Sequence, residues 1–393
     1  MTQTSPDDRE AVAVATPGPS STLIEMDPPR TGSDVDRLRL IESYRNVIRE
    51  RAIRYPVPYH LIRELGKGRQ GVVFLAVRQG GRGCLTRHAV KLFDPGVYSS
   101  AEVYWTDMGR IASQVSRLQP IHTDTLAYSE VYEECAGVGY IQMVAIDGID
   151  LQYLLDGTHL AIARSQSNDE EWSHFMDVFC RIKDGRFVLQ PGIAIYLLRK
   201  ILLGIDVMHE AGYLHGDVKP SNVMIDRMGS VKVVDFGRAA VIGEQVSILL
   251  GSPLYMAPEI HRLEPGTVQS DIYSTGLVGL EMLRGVPLID TAITDQKRLL
   301  DLKMNLLNGF EDLLPKYVRE NELLTSILRK MLHPEPKQRY RSAREVEGSS
   351  KGLRGVHRQL AQLGMGAEYD RELQNYLEKL ADPATRHLNP RLD

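Results

Sequence analysis

The sequence predicts an α+β protein, with an antiparallel sheet in its first third and helices in most of the remainder. Two observations carry this. Leu61–Val77, His88–Phe93 and Tyr140–Val144 are apolar, β-branched runs punctuated by glycine turns such as Gly80-Gly81-Arg82-Gly83, a hairpin connection. Later the apolar residues fall at helical spacing, with Ile195, Leu198, Ile201, Leu202 and Ile205 inward along Ile193–Met208, and an apolar helix starting at Ser270–Leu277. A length of 393 residues allows two lobes plus tails, and 43% apolar with 25% charged content is that of an ordinary globular protein.

A net charge of -4 argues for neither nucleic acid nor an acidic membrane surface as partner. Cys84, Cys135 and Cys180 are widely spaced and odd in number, which implies no disulfide framework and a reducing interior. No apolar run approaches the roughly 20 residues of a membrane span. Acidic Asp7, Asp8 and Glu10 precede the short Ala11–Thr16 stretch, which does not read as a signal peptide. A cytoplasmic protein is expected.

Residues 1–33, rich in Thr, Ser, Pro and Asp, are expected to be a disordered tail. Residues 34–58 read as an amphipathic helix and linker. Ser33 with Asp36 makes a capping box, Leu38, Ile41, Tyr44, Val47 and Ile48 form one stripe, and Pro56 and Pro58 close the element. Such a stripe packs on the following lobe or docks a regulatory partner.

Gly66-Lys67-Gly68-Arg69-Gln70-Gly71 follows. A dinucleotide fold would begin a helix in this loop, whereas Val72-Val73-Phe74-Leu75 continues as a strand. The result is a strand-loop-strand flap whose glycines let backbone N–H groups approach phosphate oxygens. Lys91 sits in the next strand and points away from the side taken by Val90. A helix is expected over Ser100–Leu118, burying Trp105, Met108, Ile111, Val115 and Leu118. Tyr140–Gly148 reads as a buried strand ending in a turn. Residues 156–190 read as a surface insertion, with polar, acidic Ser165–Glu171 at its centre.

The chemistry concentrates in His215-Gly216-Asp217-Val218-Lys219-Pro220-Ser221-Asn222 and in Val233-Val234-Asp235-Phe236-Gly237. Short loops here bring carboxylates, a carboxamide and an ammonium together. A carboxylate at a strand end beside glycine suits a hard cation such as Mg²⁺. In this order and spacing the two motifs resemble the catalytic and metal loops of the eukaryotic-like (Hanks-type) Ser/Thr protein kinase family, and the chain looks like a bacterial member.

That resemblance spans about residues 59–346 and implies a bilobal fold, a sheet-rich N-lobe over about 59–143 and a helical C-lobe over about 147–346. It implies ATP and Mg²⁺ as cofactors, and protein Ser/Thr hydroxyls as acceptors. Asp217 would orient the acceptor hydroxyl and take its proton, Lys219 would stabilise the γ-phosphate, and Lys91 would hold the α- and β-phosphates. Asn222 and Asp235 would hold the metal. Gly66, Lys67, Gly68 and Gly71 would cover the phosphates. Val73, Ala89 and Met143 would line the adenine pocket, main-chain groups of Val144 and Ile146 would bond the adenine edge, and Asp150 would lie near the ribose.

Gly251–Glu259 resembles the family's peptide-positioning segment, with Ser252 in the place of its usual Thr and able to make the same hydroxyl contacts. That segment and Lys219 speak against a small-molecule kinase of the same fold. Glu259 is expected to pair with Arg339, and Asp271 to cap its helix and brace the catalytic loop. Two departures stand out. Near Arg110, where the family carries a Glu for the lysine, there is no acid; Asp107 lies one turn earlier and Glu102 further back. Gly216 replaces an Arg that pairs with a phosphate on the activation segment, which implies activity independent of such phosphorylation. The missing acid favours a pseudokinase scaffold; the intact Asp217, Asn222, Asp235 and Lys91 favour the enzyme. Residues 347–393 read as a helical extension with stripes Leu353, Val356, Leu360, Leu363 and Leu373, Tyr376, Leu377, Leu380, packed on the C-lobe or presented to a partner.

Overall fold

A computed structural model describes residues 34–121, 123–127, 129–183, 185–244, 252–366 and 368–381. The 1–33 tail, the Ser33 cap, Gly251 and residues 382–393 of the extension lie outside them.

The chain begins with α1 (Asp34–Glu50), then β1 (Ala52–Ile53), β2 (Tyr59–Gly68), β3 (Gly71–Gln79) and β4 (Leu85–Phe93). Helix α2 (Ala101–Leu118) leads to β5 (Ser129–Cys135) and β6 (Val138–Val144). Among the described residues these strands form one antiparallel sheet in the order β1-β2-β3-β4-β6-β5. Alternation of side chains across the pleat gives the sheet two different faces. Val72, Phe74, Val90, Leu92 and Tyr140 pack against Tyr44 and Val47 of α1. The registers Val73↔Lys91 and Ala89↔Met143 put those four residues on the opposite face.

Helix α1 therefore belongs to the small lobe. Its stripe is shifted from the expected one: Leu38 is exposed, and Leu40 takes its place beside Tyr44 and Val47. Arg37 Nε secures the helix by donating to Tyr98 O at 2.8 Å. In α2, capped by Ser100 through Val103 N, Tyr104 is fully buried along with Met108, Ile111, Val115 and Leu118. Trp105 is only half-buried, because a step of four from Met108 lands on Tyr104.

The larger lobe starts with β7 (Gly148–Asp150), α3 (Leu151–Asp156), α4 (Leu160–Ser165), α5 (Asp169–His174), β8 (Cys180–Lys183) and β9 (Arg186–Leu189). Helix α6 (Pro191–Glu210) is the central post, with its five inward residues all buried. Next come β10 (Tyr213–Leu214), β11 (Val223–Asp226), β12 (Val231–Val233) and β13 (Ala240–Val241), then α7 (Pro258–His261), α8 (Val268–Arg284) and α9 (Gln296–Met304). The chain closes with α10 (Lys316–Arg319), α11 (Glu322–Met331), α12 (Ala343–Gly348), α13 (Leu353–Leu360) and α14 (Tyr369–Glu378).

Within 156–190 only part is surface. Ser165, Asn168, Asp169 and Glu170 are exposed, whereas Phe175, Phe179, Phe187 and Leu189 join the main core. They meet the C-terminal extension there. Tyr376 stacks on Phe179 with centroids 4.1 Å apart and hydrogen-bonds His159 Nδ1 at 2.8 Å. Glu171 accepts from Lys379 at 2.7 Å. The insertion and α14 thus cover each other's apolar surface. Leu353, Val356, Leu360, Leu373, Tyr376, Leu377 and Leu380 are buried against the lobe, but Leu363 is exposed where the helix after α13 ends.

Candidate active site

The β11–β12 hairpin brings the two loops together. Val223 pairs with Val233, so Asn222 and Val234 lie side by side, and Val234 N donates to Asn222 O at 2.9 Å. The first loop is held from below by Asp271, whose Oδ2 accepts from His215 N at 2.8 Å and whose Oδ1 accepts from Gly216 N at 2.9 Å. His209 Nε2 lies 2.9 Å from the same carboxylate. Burial alone would raise the Asp271 pKa; these donors bring it below its ordinary value. The expected bracing role is observed. The expected cap is not: α8 starts three residues earlier than Asp271, behind Thr267.

Asp217 is buried and occupied on both oxygens. Oδ2 accepts from Lys219 Nζ at 2.8 Å and Asn222 Nδ2 at 3.2 Å, and Oδ1 from Ser252 N at 3.0 Å. Ser252 thus reaches the carboxylate through its main-chain N–H. Asn222 Nδ2 also donates to Asp217 O at 2.8 Å, which leaves its Oδ1 as an oxygen ligand. Arg238 Nε lies 3.6 Å from Asp217 Oδ2. Gly216 makes room for this: at φ +73, a Cβ there would stand 2.8 Å from Arg238 O.

Lys91 Nζ donates to Asp235 Oδ1 at 2.6 Å and to Gln70 Oε1 at 3.4 Å. Burial works to raise the Asp235 pKa, but the Lys91 charge overcomes it and holds the carboxyl well below the usual range. Asp235 adopts φ +64, a conformation unusual for a residue with a side chain and often found where a site fixes a group's direction. The donor set fits a hard cation: the Asp235 carboxylate and Asn222 Oδ1 supply two oxygens, and Mg²⁺ takes its other ligands from water and phosphate.

Neither candidate acid on α2 pairs with Lys91. Asp107 accepts from Tyr98 at 2.6 Å and Arg110 at 2.7 Å, and Glu102 is exposed. Helix α2 grips the metal loop differently. Arg110 Nη2 donates to Gly237 O at 3.0 Å, and Gln114, one turn on, donates to Ala239 O. Gln114 was detectable as a polar residue inside an apolar stripe, between Ile111 and Val115.

On the sheet face above, Ala89 is buried, Val73, Met143 and Ile146 are half-buried, and Val144 is exposed at the end of β6. A Cβ on Gly66 or Gly68 would meet open space, so no packing within the chain requires glycine at either position. Gly71 is different: a Cβ would stand 1.9 Å from Leu92 O. Lys67 is exposed on the flap. Asp150 accepts from Tyr153 N at 2.8 Å and caps α3.

Beyond the catalytic loop, Glu259 and Arg339 form a buried bidentate pair at 2.7 and 2.8 Å. Lys303, missed in the sequence, is fully buried under residues 253–256. Its Nζ donates to Pro253 O and to Met256 O at 2.6 Å, and lies 2.9 Å from His261 Nε2. Burial lowers its pKa to about 7. No His, Cys, Asp and Glu cluster of metal-binding type occurs among the described residues.

A curled sheet lobe over a helical lobe, with a lysine, two aspartates and an asparagine meeting between them, is the architecture of the two-lobed phosphotransferases. The family model described as protein kinase domain matches residues 59–348. The chain belongs to the protein kinase domain family. It is 30% identical to the probable serine/threonine-protein kinase PknB of Lactococcus lactis over 234 residues, 58% of this chain and 31% of that one. It is 29% identical to the serine/threonine-protein kinase PknH of Mycobacterium bovis over 241 residues, 58% of this chain and 33% of that one. PknD of Mycobacterium tuberculosis is 29% identical over 234 residues, 58% and 30% of the two chains. The chain thus spans about a third of the length of these curated relatives.

Proposed function

We propose that this chain transfers the γ-phosphoryl group of ATP to Ser or Thr hydroxyls of proteins. The observation that carries the reading is the junction of the Lys91–Asp235 pair with the Asp217–Lys219–Asn222 cluster, joined through the main chain of Val234 and Asn222. ATP bound with Mg²⁺ would supply the phosphoryl group and the cation that neutralises its charge. Lys91 then holds the α- and β-phosphates, and Asn222 Oδ1 and Asp235 ligate the metal. Asp217 orients the acceptor hydroxyl and takes its proton, while Lys219 stabilises charge on the transferring group. Gly66, Lys67, Gly68 and Gly71 cover the phosphates. Val73, Ala89 and Met143 pack on the adenine, Val144 and Ile146 offer main-chain groups to its edge, and Asp150 lies at the ribose end.

The protein acceptor is supported by Ser252–Glu259, which is tied to Asp217 at one end and to Arg339 at the other. Three free, widely spaced cysteines support a cytoplasmic setting, and the charge of -4 favours no nucleic-acid partner. No helix among the described residues is long and apolar enough to cross a membrane. A regulatory partner on α1, α13 or α14 would meet their outer faces, since the apolar stripes are used within the chain.

Incubation with labelled ATP, Mg²⁺ and a generic protein substrate, beside the Asp217→Ala protein, tests the reading. Label on protein with the parent chain alone supports it. Label only on a small hydroxylated molecule, or no label, contradicts it.

A further inference from the structure

Away from the cleft, the β8–β9 hairpin, the end of α8 and the residues around the start of α10 enclose an open cavity of about 210 Å³. Arg181, Lys183, Arg186 and Arg284 line it, and no carboxylate does. Arg284 Nη1 donates to Pro287 O at 3.4 Å, a neutral acceptor. The Arg181 guanidinium lies 3.7 Å over the Tyr317 ring, and the Tyr317 hydroxyl is itself fixed by donating to Leu283 O. Stacking and a side-chain hydrogen bond to Tyr317 set the plane of the guanidinium, yet its Nε and Nη2 are buried with no hydrogen-bond acceptor. Burial, and then the neighbouring charge of Arg186, disfavours the protonated form of Arg284, and the Glu281 carboxyl offsets this only in part. Val188, Val286 and Pro315 supply apolar wall.

Buried donors without acceptors and crowded like charges both cost stability, and one anion relieves both. A phosphoryl group brings nearly two charges and three acceptor oxygens, which suits several cations better than a single carboxylate, and Arg binds it through two parallel donors. The apolar wall suits the stem and neighbours of a side chain rather than a bare ion. We propose that this cavity docks a phosphorylated side chain of a polypeptide partner. The choice of a phosphoprotein rests on the proposed kinase activity, which would produce such groups.

The test is fluorescence polarisation of the full chain with a labelled peptide pool holding a fixed phosphoserine in degenerate flanks. The same pool with serine and inorganic phosphate as competitor serve as comparisons. The phosphoserine pool should bind at least about tenfold more tightly than the serine pool, and inorganic phosphate should compete only at far higher concentration. Lys183→Ala/Arg186→Ala, on the exposed hairpin, should weaken binding about tenfold or more with an unchanged melting curve, and Arg181→Ala should weaken it similarly. Asp217→Ala should bind normally, so failure of the catalytic reading would leave this result standing. Equal binding of the two pools, displacement by phosphate at the pool's own concentration, or full affinity in the hairpin variant would each overturn the proposal.

Discussion

Arg110 Nη2 donates to the carbonyl oxygen of Gly237 at 3.0 Å, so helix α2 holds the metal loop by its main chain. The position at which the family presents an acid to the lysine here presents a donor to the loop instead. Gln114 repeats the contact at Ala239.

If that tether couples α2 to catalysis, Arg110→Glu should lower kcat about tenfold to a hundredfold, although it restores the family's acid, because the Gly237 carbonyl, and that of Ala239 at 3.5 Å from Arg110 Nη1, lose a charged donor. Steady-state kinetics beside a melting curve checks this. An unchanged or higher kcat would mean that an acid facing Lys91 suffices.

Gly216 removes the side chain that would answer an activation-segment phosphate, and Arg238 fills the neighbourhood of Asp217 from within the metal loop. Phosphatase treatment of the purified protein should leave its transfer rate unchanged. A loss of activity on dephosphorylation, recovered on incubation with ATP, would contradict the assignment.

Much of this site was legible in the sequence. Lys91, Asp217, Asn222 and Asp235 stand in short motifs that resemble the family's, and the fold brings the four side chains to two adjoining loops and the strand above them. The sheet followed from β-branched runs and the α2 boundaries from Ser100. What escaped depends on contacts distant in sequence. Asp107 is the exception: it looked available for Lys91 although Arg110, three residues on along the same helix, and Tyr98 are near neighbours that take it. Lys303 carries no signal in the sequence, since only the fold places residues 253–256 over it. The α1 stripe was misplaced because Leu38 and Leu40 are equally apolar, and only the fold sets Leu40 in the cluster of Tyr104 and Met108 from α2.

Glu259 and Arg339 are buried together, so removing one partner leaves an uncompensated charge. Glu259→Ala should destabilise the protein by about 3–5 kcal/mol. Glu259→Leu/Arg339→Met should recover much of that. Chemical denaturation of the three proteins measures it, and a loss below about 1 kcal/mol for the single variant would place the pair in a solvent-screened setting.

Lys303 gives a signed pH dependence. With its pKa lowered to about 7 in the folded protein, the unfolded chain binds more protons between that value and the ordinary lysine range. Stability of the parent chain relative to Lys303→Met should therefore rise as pH increases from about 7 towards 10. Denaturation at pH 6.5, 7.5 and 8.5, chosen to span roughly the start of that window, reads the trend. A flat or falling difference would show the ammonium fully charged and compensated throughout.

The central claim is that Asp217 acts on the acceptor hydroxyl in a site that Lys91, Asn222 and Asp235 prepare for ATP and Mg²⁺. Asp217→Asn tests it most directly, with nucleotide affinity and phosphoryl transfer measured on the same preparation. The account predicts ATP–Mg²⁺ affinity within about threefold of the parent chain and transfer to protein lower by about 10²–10⁴. Transfer retained at the parent rate would contradict it.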